Sequence, residues 1–286
     1  MNESRCAARS LDEDRPSRRT MTVVALFANP EHVLVSAVIE RGMMEGLTFS
    51  TSPEMMPLLR QRYGASLQSF PDAIQSHDAS VVVDWSLEMT GTPSSLAVPT
   101  QRRMKLAFHG EENCDDGDGT ITVHIHDMLP PARDSSTANL FRTWLEELDE
   151  KTHPLLDGQP RYWCDRSDVA YAIVEMLKNQ PEERSFNLAG RRQWSLEETW
   201  KEFSELLHRT KAGKSGQFNI AHLEAKGVPA IKAVSVESSS TQHSRPSLGA
   251  IHRFLEQHDG EGWRPKTPLR QSLMFVIAML DEPQDS

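Results

Sequence analysis

Apolar residues recur along this chain with two periods, two and about three and a half, and the alternation between them marks out its elements. The runs 22–28 (TVVALFA), 79–87 (ASVVVDWSL), 120–126 and 185–189 read as strands, with a short one in GLTFSTS. Helical spacing marks 32–42, 55–63 and 138–148, and a second short helix is expected over Phe70 to Ser76. The polar stretch QRRMKLAFHGEE (101–112) reads as a solvent-exposed helix.

The clearest local signals lie in 161–199. Asp165 and Ser167 are both placed to cap a helix opening near Asp168, and Val169, Ala172, Ile173, Met176 and Leu177 make one stripe. Pro181 stops that helix, a short strand ends on Gly190, and Ser195 with Glu198 forms a capping box for the next. Trp200, Phe203, Leu206 and Leu207 line that helix, and Ile251, Phe254 and Leu255 line a later one. The run MFVIAML (274–280) reads as a buried helix face. Strand, helix, strand, helix, strand with short links opens a doubly wound parallel sheet.

Composition narrows the function classes. A net charge of −10 argues against a nucleic-acid surface, since phosphate binding needs a basic face. No apolar run approaches the roughly 18 residues of a membrane span. Three widely spaced cysteines (Cys6, Cys114, Cys164) imply neither a disulfide framework nor a zinc site, and a cytoplasmic setting is the default. Residues 1–20 read as a disordered tail, with Met21 as an alternative start. The polar segment 110–119 misses the register of a calcium loop, and AGKSG (212–216) lacks the first glycine and the strand of a P-loop. His124 and His126 share a strand face, which suits either a metal or plain packing, and no third ligand accompanies them.

Several motifs in order resemble the C-terminal part of the extended short-chain dehydrogenase/reductases, the NAD-dependent nucleotide-sugar epimerases and dehydratases. They are Arg161, then Asp168-Val169-Ala170, Phe186-Asn187-Leu188-Ala189-Gly190, Ser195 to Glu198, Arg245-Pro246 and the segment from Gly262-Trp263 to Leu269. The resemblance covers about 125 residues. It implies a Rossmann-like doubly wound parallel sheet at 21–190, shortened in the middle, and a small C-terminal α/β substrate lobe at 191–286. It implies NAD(P) as cofactor and a nucleotide sugar as substrate, with Arg161 and Arg245 converging on the substrate's phosphates, a task suited to the planar guanidinium fork.

The chain departs from that pattern where the chemistry resides. Ala25, Ala28 and Glu31 fall on the three glycine positions of the dinucleotide fingerprint, which counts against ordinary NAD(P) binding. Glu31 also has a plain reading, an acidic first-turn residue that stabilises its own helix. The second strand ends in Ser50-Thr51-Ser52, without a carboxylate for a ribose. None of Tyr63, Tyr162 and Tyr171 has a lysine four residues on; the nearest placement of a Tyr-x-x-x-Lys pair is Gln101 to Lys105, which leaves Lys105 as the one candidate for proton transfer. Ser94 and Ser95 fall in a shortened link and are not assigned a catalytic role. Three readings follow: a divergent binder of a nucleotide sugar or other phosphorylated ligand, a working NAD(P)-dependent epimerase, dehydratase or reductase with a rebuilt site, and a non-catalytic scaffold or oligomerisation protein whose C-terminal lobe is kept for stability or to form a homodimer.

Overall fold

The structure, a computed structural model, describes residues 22–76, 83–90, 100–108, 119–216 and 245–281. Strands β1 (Val23–Phe27), β2 (Thr48–Thr51), β3 (Ile74–Ser76), β4 (Val83–Met89), β5 (Thr100–Phe108), β6 (Thr120–Ile125) and β9 (Ser185–Leu188) form one sheet. Its order is β3-β2-β1-β4-β5-β6-β9 and every pair is parallel. Strand order reverses between β1 and β4, as in a Rossmann-like sheet, and open sheets of this kind place ligands at the carboxyl ends beside that reversal. A two-stranded parallel ribbon, β7 (Met128–Leu129) with β8 (Cys164–Asp165), stands beyond the end of β6.

The two faces of the sheet differ. Val24, Trp85, Leu87, Met104, Leu106, Val123 and Phe186 are fully buried on one side. They join a single core with α1 (Val33–Met44), α2 (Met56–Ser69), α4 (Arg166–Asn179) and α6 (Gly249–Asp259). The in-register neighbours on the other side are polar: Ser50 and Ser86 flank Ala25, Glu88 pairs Lys105, Lys105 pairs Thr122, and His124 pairs Asn187. Parallel strands covered on both faces usually read as continuous apolar runs. These alternate instead.

That alternation corrects one expectation. Residues 100–108 are β5, not a helix, because Met104 and Leu106 enter the core while Arg103 and Lys105 point to the polar face. Residues 109–112 of the same stretch lie outside the described residues. A second correction is local: α2 runs on to Ser69, and the helix expected at 70–76 is replaced by β3, whose Ile74 pairs Phe49. Three residues are too few to show a period. The expected strand at 79–87 is described only as β4 from Val83, and the turn at 110–118, Ser94, Ser95, the tail and 217–244 lie outside the described residues.

A second core gathers α3 (Ser136–Asp149), α5 (Leu196–Ser215) and α7 (Leu269–Asp281) around Phe141, Trp144, Phe203 and Val276. Its aromatic rings meet edge-on or tilted, Phe141 and Trp144 at 5.3 Å and Trp144 and Trp200 at 5.5 Å. The expected caps are present: Asp165 accepts from Ser167 N at 2.8 Å, and Ser195 and Glu198 close a capping box. Only part of the run 274–280 faces inward; Val276 and Ile277 are buried, whereas Met274 and Phe275 are exposed. Among the described residues no helix is long and apolar enough to cross a membrane.

Candidate functional site

Two adjoining cavities open at the carboxyl ends of the strands. The first, about 290 Å³, is built where β5 and β6 end, at Phe108 and Ile125. Beyond Ile125 the chain turns sharply: Asp127 adopts φ 46°, a left-handed conformation that aspartate tolerates better than most residues. The turn brings the Asp127 carboxylate under the strand-like segment that begins at Arg161. Asp127 Oδ2 accepts from Tyr162 N at 2.7 Å, and Oδ1 accepts from Arg161 Nη1 at 3.0 Å. Arg161 Nε is buried and has no hydrogen-bond partner.

Across this cavity stands the first turn of α3. Ser135 caps the helix, accepting from Ala138 N at 3.2 Å and donating to Ala132 O at 2.7 Å. Ser136 and Thr137 line the cavity, in the turn where backbone N–H groups have no intrahelical acceptor. His32 lines it too, its ring 5.2 Å from that of Phe108. His32 Nδ1 accepts from Leu34 N at 3.3 Å, which in the neutral ring leaves the proton on Nε2.

The second cavity, about 710 Å³, shares His32, Pro131 and Ala132 with the first and extends past the β1–α1 turn to Met89 and α7. Here a dinucleotide's pyrophosphate would need free amides. Three are engaged: Glu31 N donates to Asn29 Oδ1 at 2.9 Å, His32 N to Asn29 O at 3.0 Å, and Leu34 N to His32 Nδ1. Ala25 lies inside β1, Ala28 just beyond it, and Glu31 lines the cavity. Glu31 precedes the cap His32 rather than lying in the first helical turn, so the helix-stabilising role expected of it does not apply. Glu31 thus sets a carboxylate beside this turn, which repels an anion.

The sequence-derived candidates are distributed as follows. Arg161 lines the first cavity. Arg245 does not; its Nη2 donates to Arg191 O at 2.9 Å. Both arginines nevertheless meet one turn, since Arg161 and Trp194 exchange backbone hydrogen bonds at 2.8 Å in each direction. Lys105 sits on the polar face of β5 and lines neither cavity. No tyrosine lines either cavity. Tyr63 is buried on α2, where burial raises its pKa, and Tyr171 donates to Asp259 at 2.7 Å on the outer side of α4. Tyr162 is nearly buried, its hydroxyl 3.4 Å from Gln193 Oε1.

His126 Nε2 lies 2.9 Å from Asn187 Oδ1. Among the described residues no three His, Cys, Asp or Glu side chains gather as a metal site. Cys164 is a buried thiol whose pKa burial pushes well up, with Asp127, Asp168 and Asp165 adding to the shift. Three contributors were not singled out from the sequence: His32, Asp127 and the start of α3. Of these only α3 carried a local signal, a serine cap directly before an apolar stripe.

No family model matches the chain, and no curated protein matches it in sequence. Solved structures that it is similar to include the Bordetella bronchiseptica enzyme WbmF in complex with NAD+ and UDP, at 11% identity and TM-score 0.48 over 91% of this chain and 93% of that one. Another is dTDP-glucose 4,6-dehydratase from Bacillus anthracis in complex with NAD, at 11% identity and TM-score 0.49 over 90% and 96%. A third is UDP-N-acetylglucosamine 4-epimerase from Bacillus cereus, at 8% identity and TM-score 0.49 over 90% and 99%.

Proposed function

We propose that this chain is a divergent protein of the NAD-dependent epimerase/dehydratase type that binds a nucleotide sugar, or another phosphorylated small molecule, without tyrosine–lysine hydride chemistry. One observation carries the reading: the partly exposed guanidinium of Arg161 and the first turn of α3 line one cavity. Both attract an anion, one by charge-assisted hydrogen bonds and one by free amides and the helix dipole. Asp127 fixes the guanidinium from one side. Arg245 lines neither cavity and is tied instead to Arg191 O, on the turn that Arg161 also holds.

The same reading assigns no hydride step. Neither a tyrosine nor Lys105 borders the cavities, and the β1–α1 turn offers a carboxylate where pyrophosphate would lie. Titration calorimetry with UDP-glucose, dTDP-glucose, NAD+ and NADPH tests this. The expected result is binding of a nucleotide sugar in the absence of either dinucleotide. Tight NAD(P) binding with turnover of a nucleotide sugar would instead establish a working oxidoreductase with a rebuilt site. No binding of any of the four by a stable homodimer would leave the scaffold.

A further inference from the structure

Five backbone amides in the turn that joins α6 to α7 donate to side chains that can take up a proton. Glu261 N and Gly262 N donate to Asp259 Oδ1 at 2.8 and 3.0 Å, and Trp263 N donates to His252 Nδ1 at 3.0 Å. At the far end Lys266 N and Thr267 N donate to the two carboxylate oxygens of Asp168, on α4. The turn therefore hangs from α6 at two points and from α4 at one.

The middle bond depends on a neutral imidazole. A backbone N–H can only donate, so His252 Nδ1 accepts and the ring proton sits on Nε2. An imidazolium carries N–H on both nitrogens and sets two donors against each other. The ring packs directly on Gly262, where an added Cβ would stand 2.3 Å from Nδ1, so it has little room to turn aside. Histidine ordinarily changes charge between about pH 5 and 8. Asp259 stays an acceptor there: burial pushes its pKa up, but hydrogen bonds from Tyr171, Glu261 N and Gly262 N outweigh this and hold it below its ordinary value of 3.8. Charges around the turn are engaged with one another, Lys266 with Glu261 at 2.8 Å, Arg41 of α1 with Glu45 at 2.9 Å, Arg253 with Glu183 at 2.9 Å, and Tyr171 of α4 with Asp259 at 2.7 Å. Arg264 on the turn and Glu256, four residues beyond His252 on α6, are exposed. Among the described residues no carboxylate pairs with His252.

We infer that the turn 260–267 is a proton-operated latch: neutral His252 holds it closed, and protonation of His252 releases it. What the latch holds is α7. Lys266 and Thr267 stand directly before that helix, and α7 carries Phe275, Ala278 and Met279 into the wall of the larger cavity. Acidification thus loosens the approach to that wall while the sheet stays intact. The device does not depend on the phosphorylated ligand of the first cavity.

Amide exchange of the full chain, resolved by residue with NMR and divided by intrinsic rates, tests the proposal between about pH 7.5 and pH 5.5. Protection of Trp263, Lys266 and Thr267 should fall together by roughly ten-fold toward the acid end, as expected for losing one hydrogen bond. Amides of β1, β4 and β6 should keep theirs. His252→Asn places a non-titrating oxygen near the Nδ1 position, and its turn amides should change by less than about two-fold over the same range. A second measurement needs no variant: the midpoint of the fall should coincide with that of His252 protonation, read from the imidazole nitrogen shifts. The proposal is overturned if Trp263 keeps its protection, if the loss is confined to Trp263, or if the three strands loosen with it. It is also overturned if the two midpoints differ, or if His252→Asn loses protection as the unaltered chain does.

Discussion

A Cβ built on Gly190 would lie 2.1 Å from the Trp163 carbonyl oxygen. The approach is this close because Gly190 N donates to Tyr162 O at 2.7 Å, drawing the end of β9 onto the segment that carries Arg161. Backbone cannot move aside as a flexible side chain does. Gly190→Ala should therefore lower stability by about 1–3 kcal/mol or more, read as a reduced urea midpoint. Arg161→Ala probes the same neighbourhood differently, since it removes a charge held by Asp127 rather than altering the backbone. It should weaken nucleotide-sugar binding by roughly ten- to a hundred-fold by calorimetry, at about 1.5–3 kcal/mol for a hydrogen bond to a charged group. Arg161→Lys should restore only part of that, because an ammonium lacks the planar fork. Arg161 was legible in the sequence through the motifs that follow it. Asp127 and His32 were not: Asp127 meets Arg161 across 34 residues, and His32, whose hydrogen bonds are a local cap, reaches the same cavity only through the sheet order.

At the scale of elements, β5 shows how local charge can mask a strand. Arg102, Arg103 and Lys105 gave the segment a solvated look, yet Met104 and Leu106, two residues apart, are fully buried in the sheet core. Leu106→Ala should cost about 2–5 kcal/mol, whereas Lys105→Ala should stay within about 0.5 kcal/mol. Thermal denaturation of the pair tests the two costs. Elements with a cap and a long stripe, such as α4 and α5, were legible because both signals come from the residues themselves. The link between α4 and α6 through Tyr171 and Asp259 was not. Burial and the Asp259 hydrogen bond raise the Tyr171 pKa above its ordinary value of 10.0, so the neutral phenol is favoured in the folded state. The stability it lends is complete below pH 10.0 and is lost as pH rises through the higher folded value. Tyr171→Phe should accordingly remove part of the difference between denaturant midpoints measured at pH 9 and pH 11.

The molecule as a whole is two cores joined at the start of α4. Asp165 Oδ2 accepts from Ser272 Oγ at 2.7 Å in a buried contact, and Asp168 accepts from Lys266 N at 2.9 Å and Thr267 N at 3.1 Å. These bonds moor the last helix to the sheet-side helix through backbone amides that would otherwise face solvent. Ser272→Ala should cost about 1 kcal/mol and raise hydrogen exchange in α7, with β1, β4 and β6 keeping their protection. The reverse pattern, uniform loosening of the sheet, would mean the cores unfold only as one. The sequence order of strands and helices foretold the parallel sheet, but not its polar second face, because that property appears only once the register aligns Glu88 with Lys105 and His124 with Asn187.

The aromatic content of the helical core has an optical consequence. Of the six tryptophans, Trp144, Trp163, Trp194 and Trp200 belong to that core, while Trp85 and Trp263 lie in the sheet core. Ultraviolet emission from the native protein thus comes chiefly from one half of the molecule. Trp144 and Trp200, crossed at 75° with centroids 5.5 Å apart, are close enough to couple their transitions and leave a signed band in the near-ultraviolet circular dichroism. The helical half carries its own built-in chromophore. Loss of that band before far-ultraviolet ellipticity falls would time the separation of the two cores without any introduced label.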